Sequence, residues 1–366
     1  MKERLYLPGL NGIRSIAALS VVLLHIVQDL ELDIAHPGRF NSFGIYGVTL
    51  FFTLSGFLIT YLLLKEKEKT GTVHIRSFYI RRILRIWPLY FLFVLIVLVV
   101  MRFEVDATLL FYLFMLPNVP WAVGSAGGSI VALPLLNHYW SLGVEEQFYA
   151  FWPFVIRWAR RLKRTLVVLV VFFVALKFVL KLAGAPATLI SLVYYTRFSC
   201  MAIGGLGAYL YFKKSRLVDQ VCGKTADGIA WLVLITMVLL PFVGIRLPSI
   251  VENELVSLVA LVIIFNQVTR RSVFSFEPPV FDYLGRISFG LYVYNPLVLY
   301  ATAWVFSVVP MGNALRFVVV ALVTVPAIIL VAHISYFYFE KRFLDVKRRF
   351  ATVDSAGSRS EVLEQP

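Results

Sequence analysis

The sequence predicts an all-α protein that crosses a membrane about ten times. Sixty per cent of its 366 residues are hydrophobic and only 15% are charged, whereas soluble domains are about 45–50% apolar and about 25% charged. The apolar residues lie in long runs, and a helix of about 20 such residues spans a bilayer. Lysine and arginine residues lie mainly between these runs. Composition, segment length and charge placement therefore indicate a polytopic membrane protein.

Ten apolar runs account for the predicted membrane-spanning helices. They lie at 12–28, 44–64, 87–101, 143–157, 165–182, 198–212, 227–245, 254–268, 284–305 and 316–339. An eleventh run at 107–119 is too short to span a bilayer, so we predict a re-entrant or interfacial segment there.

The basic residues support this count and predict an orientation. If the N-terminus is cytoplasmic, the loops and ends on that side carry most of the basic residues, in the stretches 65–86, 157–164, 213–216, 269–271 and 340–349. The loops on the other side hold little beyond Arg39, Arg102, Lys181, Arg197 and Arg246. This asymmetry predicts that both termini are cytoplasmic. The net charge of +14 is thus explained by topology, and no basic groove with interleaved aromatic residues indicates nucleic-acid binding.

The chain is predicted to form one membrane domain at 1–343 and a polar, disordered cytoplasmic tail at 344–366. The basic N-terminal stretch is not followed by a small-residue cleavage site, which predicts a retained first helix. Cys200 and Cys222 form no local disulfide or metal motif. Because the five histidines and the carboxylates show no metal-ligand spacing, we expect no metal site.

Arg14 and His25 are two ionisable residues within the first predicted helix. Eleven residues correspond to three helical turns plus about 20°, so both side chains lie on one side of the helix, about 16 Å apart along its axis. One interpretation is that Arg14 extends to the membrane face while His25 hydrogen-bonds a neighbouring helix. The other is that His25 transfers protons in a polar cavity, since an imidazole titrates near neutral pH.

Arg82 and Arg85 lie three residues apart, hence on one helical face near the predicted cytoplasmic border. Anchoring at the membrane surface explains basic residues in general but does not require their alignment. A guanidinium group binds phosphate through two parallel hydrogen bonds. This pair therefore indicates a phosphorylated ligand on the cytoplasmic side.

Glu145 and Glu146 open another predicted helix, which begins on the outer side, opposite the arginine pair. One of them could simply stabilise the helix N-terminus. A second buried carboxylate is costly without a partner, so we expect one to meet His25 or an arginine. With Trp140 and Ser141 toward the outer side, these residues define a polar path across the membrane. Such a path suits group transfer between the two sides and equally suits a proton-coupled transporter.

Several ordered motifs resemble the membrane-bound acyltransferase family 3, whose members O-acylate bacterial surface glycans. They are "YLPGLNGIRSIAALSVVLLH" (6–25), "GVTLFFTLSGFLIT" (47–60), "FYIRRILRIWPLYF" (78–91), "HYWSLGVEEQFYAFWP" (138–153), "TRFSCMAIGGLGAYL" (196–210), "LGRISFGLYVYNPL" (284–297) and "ISYFYFEKRF" (334–343). The resemblance implies a multi-pass enzyme of the bacterial cytoplasmic (inner) membrane. Such an enzyme transfers an acyl group, usually acetyl, from cytoplasmic acyl-CoA to a carbohydrate hydroxyl on the far side. The donor is a substrate, and no permanently bound cofactor is implied.

The resemblance also assigns roles to individual residues. It implies His25 as the catalytic base with Glu145, rather than Glu146, orienting its imidazole. Arg82 and Arg85, helped by Arg14, would then bind the phosphates of acyl-CoA. Secondary candidates are Ser55 (for which a packing role is equally favoured), Trp140, Ser141, Glu146, Tyr149, Arg197, Ser288 and Tyr292.

Two positions depart from the family pattern. Many relatives have Asp where this chain has Asn11, and many have His where it has Asn295. Because an amide cannot act as an acid or a base, the second departure places more weight on His25. Direct transfer is favoured over an acyl-enzyme, since neither cysteine lies near the motifs that carry His25, Glu145 and the predicted phosphate-binding arginines. The alternative functions are a proton-coupled transporter of a glycan precursor or small anion, and, less favoured, a structural protein.

Overall fold

A computed structural model describes residues 3–29, 37–102, 107–130, 132–245 and 247–355. Fifteen α-helices lie in these ranges. They are α1 (Leu10–Asp29), α2 (Asn41–Thr70), α3 (Ile75–Met101), α4 (Thr108–Leu113), α5 (Asn118–Ser125), α6 (Trp140–Trp158), α7 (Leu162–Leu182), α8 (Ala187–Thr196), α9 (Phe198–Phe212), α10 (Arg216–Val221), α11 (Lys224–Leu239), α12 (Ser249–Val268), α13 (Pro279–Ser307), α14 (Asn313–Ser335) and α15 (Lys341–Arg349). A five-residue π-helix, Tyr336–Glu340, joins α14 to α15.

The chain is an all-α polytopic membrane protein. Nine helical segments in the described residues are long and apolar enough to cross a membrane: α1, α2, α3, α7, α8 with α9, α11, α12, α13, and α14 continued by α15. The predicted tenth span corresponds to α6, which has 19 residues but contains Glu145, Glu146 and Arg157. These charges lower its hydropathy without shortening it.

The two ends of the described chain lie together. Strand β1 (Glu3–Leu5) pairs in parallel with strand β2 (Val353–Ser355), and Arg81 of α3 donates to the carbonyl of Phe350 at 2.8 Å. A chain whose ends meet on one side of a membrane crosses it an even number of times. We therefore count α6 as the tenth crossing; that the shared side is cytoplasmic remains a prediction.

Helix α2 forms the centre of the bundle, because 78% of its most apolar window is buried, compared with 11% for α7 at the periphery. Glycines allow α9 to pack directly on it. A Cβ atom at Gly56 would lie 2.0 Å from the carbonyl oxygen of Met201, and one at Gly204 would lie 2.0 Å from that of Thr53. Gly56, which belongs to the motif at 47–60, thus allows close packing of the two helices.

Sequence predictions for two segments outside the main helices, 107–119 and 344–366, can be compared with the structure. The run at 107–119 forms parts of the short helices α4 and α5, neither of which is among the candidate spans. The predicted disordered tail at 344–366 is helix and strand up to Ser355, because α15 packs on α3 and β2 pairs with β1. Residues 356–366 lie outside the described residues.

Candidate functional site

Two neighbouring cavities contain most of the predicted site residues. The first, of about 100 Å³, is called the arginine cavity and lies between α1, α2, α3, α6 and α13. Its lining residues are Arg14, Val48, Phe51, Phe52, Ser55, Arg82, Arg85, Ile86, Ser141, Leu142, Glu145, Tyr149, Ser288, Phe289 and Tyr292. The helical face shared by Arg82 and Arg85 therefore faces this cavity, together with Arg14.

The three guanidinium groups of the arginine cavity have no salt bridge within the described chain. Arg82 lies over the ring of Tyr149 at 5.4 Å, and Arg85 lies over Phe289 at 5.7 Å. The Nε atom of Arg82 is buried and has no hydrogen-bond partner among the described residues. Glu145 and Glu340 are near enough to offset only part of this positive charge, so the arrangement suits an anionic ligand that supplies several negative oxygens.

Glu145 lies in the same cavity, and Glu146 does not. The Ser55 hydroxyl donates a short hydrogen bond to Glu145, whose carboxylate also interacts electrostatically with Arg82 and Arg14. Glu146 instead accepts a 3.1 Å hydrogen bond from the indole nitrogen of Trp87. Only Glu145 of the two carboxylates therefore lines the arginine cavity, and the role that the resemblance implied for it stays a prediction.

Of the two predicted partners for a buried carboxylate, His25 or an arginine, Glu145 has the arginines, and the contact with His25 that the resemblance implied is wrong. Glu145 also does not lie on the outer side away from the arginines, as its position near the start of a helix suggested. The reason is that the turn before α6 is already inside the bundle: His138 is 4% exposed and Tyr139 is fully buried. Helix α6 therefore starts below the protein surface and carries Glu145 down to the arginines.

The partner of His25 is Asn295, across the contact between α1 and α13. The side-chain amide of Asn295, which is fully buried, lies 2.7 Å from Nδ1 of His25. An amide can present either its N–H or its carbonyl to an imidazole. In the structure the amide nitrogen faces Nδ1; with the amide turned over, its carbonyl would accept the Nδ1 proton and leave Nε2 free to accept one. The residue that departs from the family pattern is therefore the one that orients His25.

His25 lines the second cavity, of about 470 Å³, which we call the histidine cavity. Its lining residues are Val21, Leu24, His25, Gln28, Asn41, Gly44, Ile45, Val48, Trp121, Leu135, Asn137, His138, Trp140, Tyr194, Tyr195, Arg197, Tyr292 and Pro296. Trp121 stacks on Trp140 with ring centroids 6.4 Å apart. Aromatic faces beside amide groups suit the faces and hydroxyls of a sugar.

His138 is a site residue that the sequence reasoning missed. Its ring lies 6.3 Å from that of His25, edge to face, and neither of its nitrogens has a hydrogen-bond partner among the described residues. The available signal was its position two residues before Trp140, inside a motif that the resemblance already used. The prediction used only the aromatic, hydroxyl and acidic residues of that motif.

A narrow polar partition separates the cavities. Tyr292 lines both of them; its hydroxyl lies 2.7 Å from that of Ser141 and donates to the backbone carbonyl of His138. Ser141 and Tyr292 were secondary candidates, and both belong to this partition.

The other candidates divide between the cavities. Ser55, Tyr149 and Ser288 line the arginine cavity, where the Ser288 hydroxyl donates to the carbonyl of Gly285 at 2.8 Å. Trp140 and Arg197 line the histidine cavity. Asn11, the other departure from the family pattern, lies outside both linings and donates to Asp282 at 3.2 Å. In the described part of the chain, no three His, Cys, Asp or Glu residues form a cluster that could hold a metal.

Comparison with known proteins gives this geometry a chemical context. A family model described as an acyltransferase domain matches residues 7–333. The peptidoglycan O-acetyltransferase OatA of Listeria monocytogenes is 27% identical over 368 residues, covering 92% of this chain and 56% of that protein. The O-acetyltransferase OatA of Staphylococcus aureus (strain NCTC 8325) is 26% identical over 330 residues, covering 82% and 52%. The chain thus spans about half the length of these curated relatives. No solved structure matches it significantly.

Proposed function

Since the chain belongs to the acyltransferase 3 family, we propose that it transfers an acetyl group from acetyl-CoA to a hydroxyl of an envelope carbohydrate. The observation that carries this proposal is the pair of adjoining cavities. One holds three arginines that form no salt bridge with any described residue, and the other holds two facing histidines among aromatic and amide side chains. A phosphorylated donor and a sugar acceptor need these two environments.

The donor binds through its phosphates in the arginine cavity. Arg82 and Arg85 supply guanidinium groups on one helical face, and Arg14 supplies a third from α1. Glu145 faces Arg82 and Arg14 and balances part of their charge before the donor arrives. Its hydrogen bond from Ser55 fixes the carboxylate, so it does not compete freely with phosphate for the arginines.

The acceptor binds in the histidine cavity, where His25 acts as the general base. The Nε2 atom of His25 takes the proton of the acceptor hydroxyl while that oxygen attacks the thioester carbonyl carbon. The carbon–sulfur bond breaks, the acetyl group remains on the acceptor oxygen, and the CoA thiolate receives a proton from the imidazolium. In the structure the amide nitrogen of Asn295 faces Nδ1 of His25; the proton transfer requires the amide turned over, so that its carbonyl accepts the Nδ1 proton and holds the ring in place. No acyl-enzyme is required.

The thioester must pass the partition to reach His25. Arg14 and His25 are about 16 Å apart along α1, a distance that the pantetheine arm of CoA covers. Because Arg14 lies near the start of α1, the arginine cavity is the nearer one to the side that holds both chain ends. Charge asymmetry predicts that this side is cytoplasmic, which places the acceptor toward the outside.

A sided vesicle assay tests the proposal. Inner-membrane vesicles of both orientations, containing the full chain, receive radiolabelled acetyl-CoA outside only, and label in glycan is measured. We expect transfer in inside-out vesicles, where the arginine cavity faces the added donor, and little in right-side-out vesicles. Transfer in right-side-out vesicles alone would contradict the sidedness. Absence of transfer and of acetyl-CoA binding in both would exclude the acyltransferase and favour the transporter.

A further inference from the structure

We infer that the histidine cavity accepts a sugar that carries a carboxylate, and that Arg197 binds this carboxylate. The inference names the acceptor class and rests on the proposed function for the transfer step, although the binding site itself stands on its own geometry. Arg197 precedes α9 and is only 1% exposed, yet it lines the cavity.

The protein provides hydrogen-bond acceptors for only part of the Arg197 guanidinium group. Its Nη1 atom donates to the carbonyl of Ile45 and to the hydroxyl of Thr49, both at 3.1 Å. Its Nε atom is buried and lacks a hydrogen-bond partner in the described chain. We take the edge formed by Nε and Nη2 as the one that a ligand would meet. This edge presents two parallel N–H groups, which match the two oxygens of a carboxylate.

No carboxylate of the described residues forms a salt bridge with Arg197. The two acidic residues on α12 that face this region are engaged elsewhere. Glu252 accepts a 2.5 Å hydrogen bond from Tyr46. Glu254 uses Oε1 to pair with Lys177 and to accept from Ser199 at 2.5 Å, and its Oε2, which has no hydrogen-bond partner among the described residues, forms no salt bridge with Arg197. A buried cation without a counter-ion is strongly unfavourable, and an anionic ligand would remove this penalty.

The surroundings of Arg197 suit a sugar that carries the anion. The guanidinium lies over the rings of Trp140, at 5.1 Å, and Tyr194, at 5.8 Å. Trp121 and Tyr195 extend this aromatic surface. The remaining polar lining comprises the neutral amides of Gln28, Asn41 and Asn137 together with the two histidines, and the described lining contains no acidic side chain. Aromatic and amide groups fit the neutral ring, and the single arginine fits one acidic substituent.

Matched acceptors and a matched arginine variant test this assignment. The probes are methyl β-D-glucuronide, its uncharged carboxamide, and the 6-phosphate of methyl β-D-glucoside. Binding to the purified full chain is measured by calorimetry, and acetyl transfer to each probe is measured separately. Arg102→Gln is the control for Arg197→Gln, since Arg102 also follows a helix in the left-handed region, with φ 49° against 41°, but is exposed.

We expect the wild-type protein and Arg102→Gln to bind the glucuronide at least about 10-fold more tightly than the carboxamide. In Arg197→Gln this ratio should fall to within about twofold while the carboxamide still binds, which shows that the cavity is intact. Arg197→Lys keeps the positive charge but lacks the two parallel N–H groups, so it should retain an intermediate preference for the glucuronide. If Arg197→Gln does not accumulate, Arg197→Lys tests the inference in its place.

Three results would overturn the inference: equal binding of glucuronide and carboxamide by the wild-type protein, a preference that survives in Arg197→Gln or is absent from Arg197→Lys, or tighter binding of the phosphate than of the carboxylate. Selective binding without acetyl transfer to any probe would support the Arg197 site and count against the proposed acyltransferase instead.

Discussion

The arginine cavity and the histidine cavity share a wall but differ in chemistry. The first combines three cations with Glu145, on α1, α3 and α6. The second combines two imidazoles, amides and aromatic rings with the single cation of Arg197. The difference shows how one helix serves both sites: α1 places Arg14 in one cavity and His25 in the other. Donor binding and acceptor activation should therefore respond separately to mutation.

The largest effect is expected from His25→Ala. Removing a general base typically costs roughly 100- to 10,000-fold in rate, so acetyl transfer should fall by that order while acetyl-CoA binding stays within about twofold. Transfer rates and donor affinity are measured on the same preparation. His333→Ala is the control, because His333 is bonded to Tyr283 at 2.9 Å, outside both linings. Transfer that survives His25→Ala would remove the base from the mechanism.

The second-largest effect is expected in the arginine cavity, on the affinity for acetyl-CoA. Arg85→Ala should raise the KM for acetyl-CoA about 10- to 100-fold, because each hydrogen bond to a charged group contributes about 1.5–3 kcal/mol. The KM for the acceptor should change little. Arg76→Ala, an exposed position in the first turn of the same helix, controls for general loss of basic charge. A rise in the acceptor KM alone would contradict the division between the cavities.

A smaller effect is expected from Asn295→Leu, which removes the group that orients His25. Transfer should fall about 10-fold, since one buried hydrogen bond and a defined tautomer are lost. Asn295→Asp should retain more activity, because a carboxylate also accepts the Nδ1 proton. The comparison of the two variants at equal abundance is the measurement. Equal activity in Asn295→Leu and the wild type would show that His25 needs no such partner.

The smallest effect is expected from Tyr292→Phe, which keeps the ring but removes the hydroxyl that bonds Ser141 and the carbonyl of His138. Ser141 still donates to the His138 carbonyl when the hydroxyl is gone, so the net loss should be about one neutral hydrogen bond, about 1 kcal/mol, and transfer should fall only about fivefold. Hydrolysis of acetyl-CoA without acceptor should rise as the partition loosens, measured as free acetate. A fall in transfer without this rise would indicate that Tyr292 only supports packing.

The sequence was informative about properties that depend on a single helix. The apolar runs identified the spans, and the spacing of Arg82 and Arg85 put both on the face that lines a cavity. The motif resemblance singled out Glu145 over Glu146, and in the structure only Glu145 lines the arginine cavity; its catalytic role stays a prediction. It also identified the acyltransferase family, since ordered motifs along a chain do not depend on how the helices are packed.

The sequence did not predict the contacts between helices correctly. Glu145 was paired with His25, whereas it bonds Ser55 and faces Arg14 and Arg82. Asn295 was regarded only as a lost histidine, although it is the partner of His25. His138 was overlooked. Each error concerns the depth at which a helix starts or the side on which it meets its neighbour.

The sequence by itself thus determined the membrane-spanning architecture, the family and the face on which each ionisable residue lies. Only the tertiary structure decided which of these faces meet, that the site is two cavities with a partition, and that no carboxylate in the described part of the chain forms a salt bridge with Arg197. The physical reason is that helical periodicity fixes directions within one helix. The rotation and depth of helices relative to each other are fixed by packing, such as the contact of Gly56 and Gly204 between α2 and α9, which local spacing does not encode.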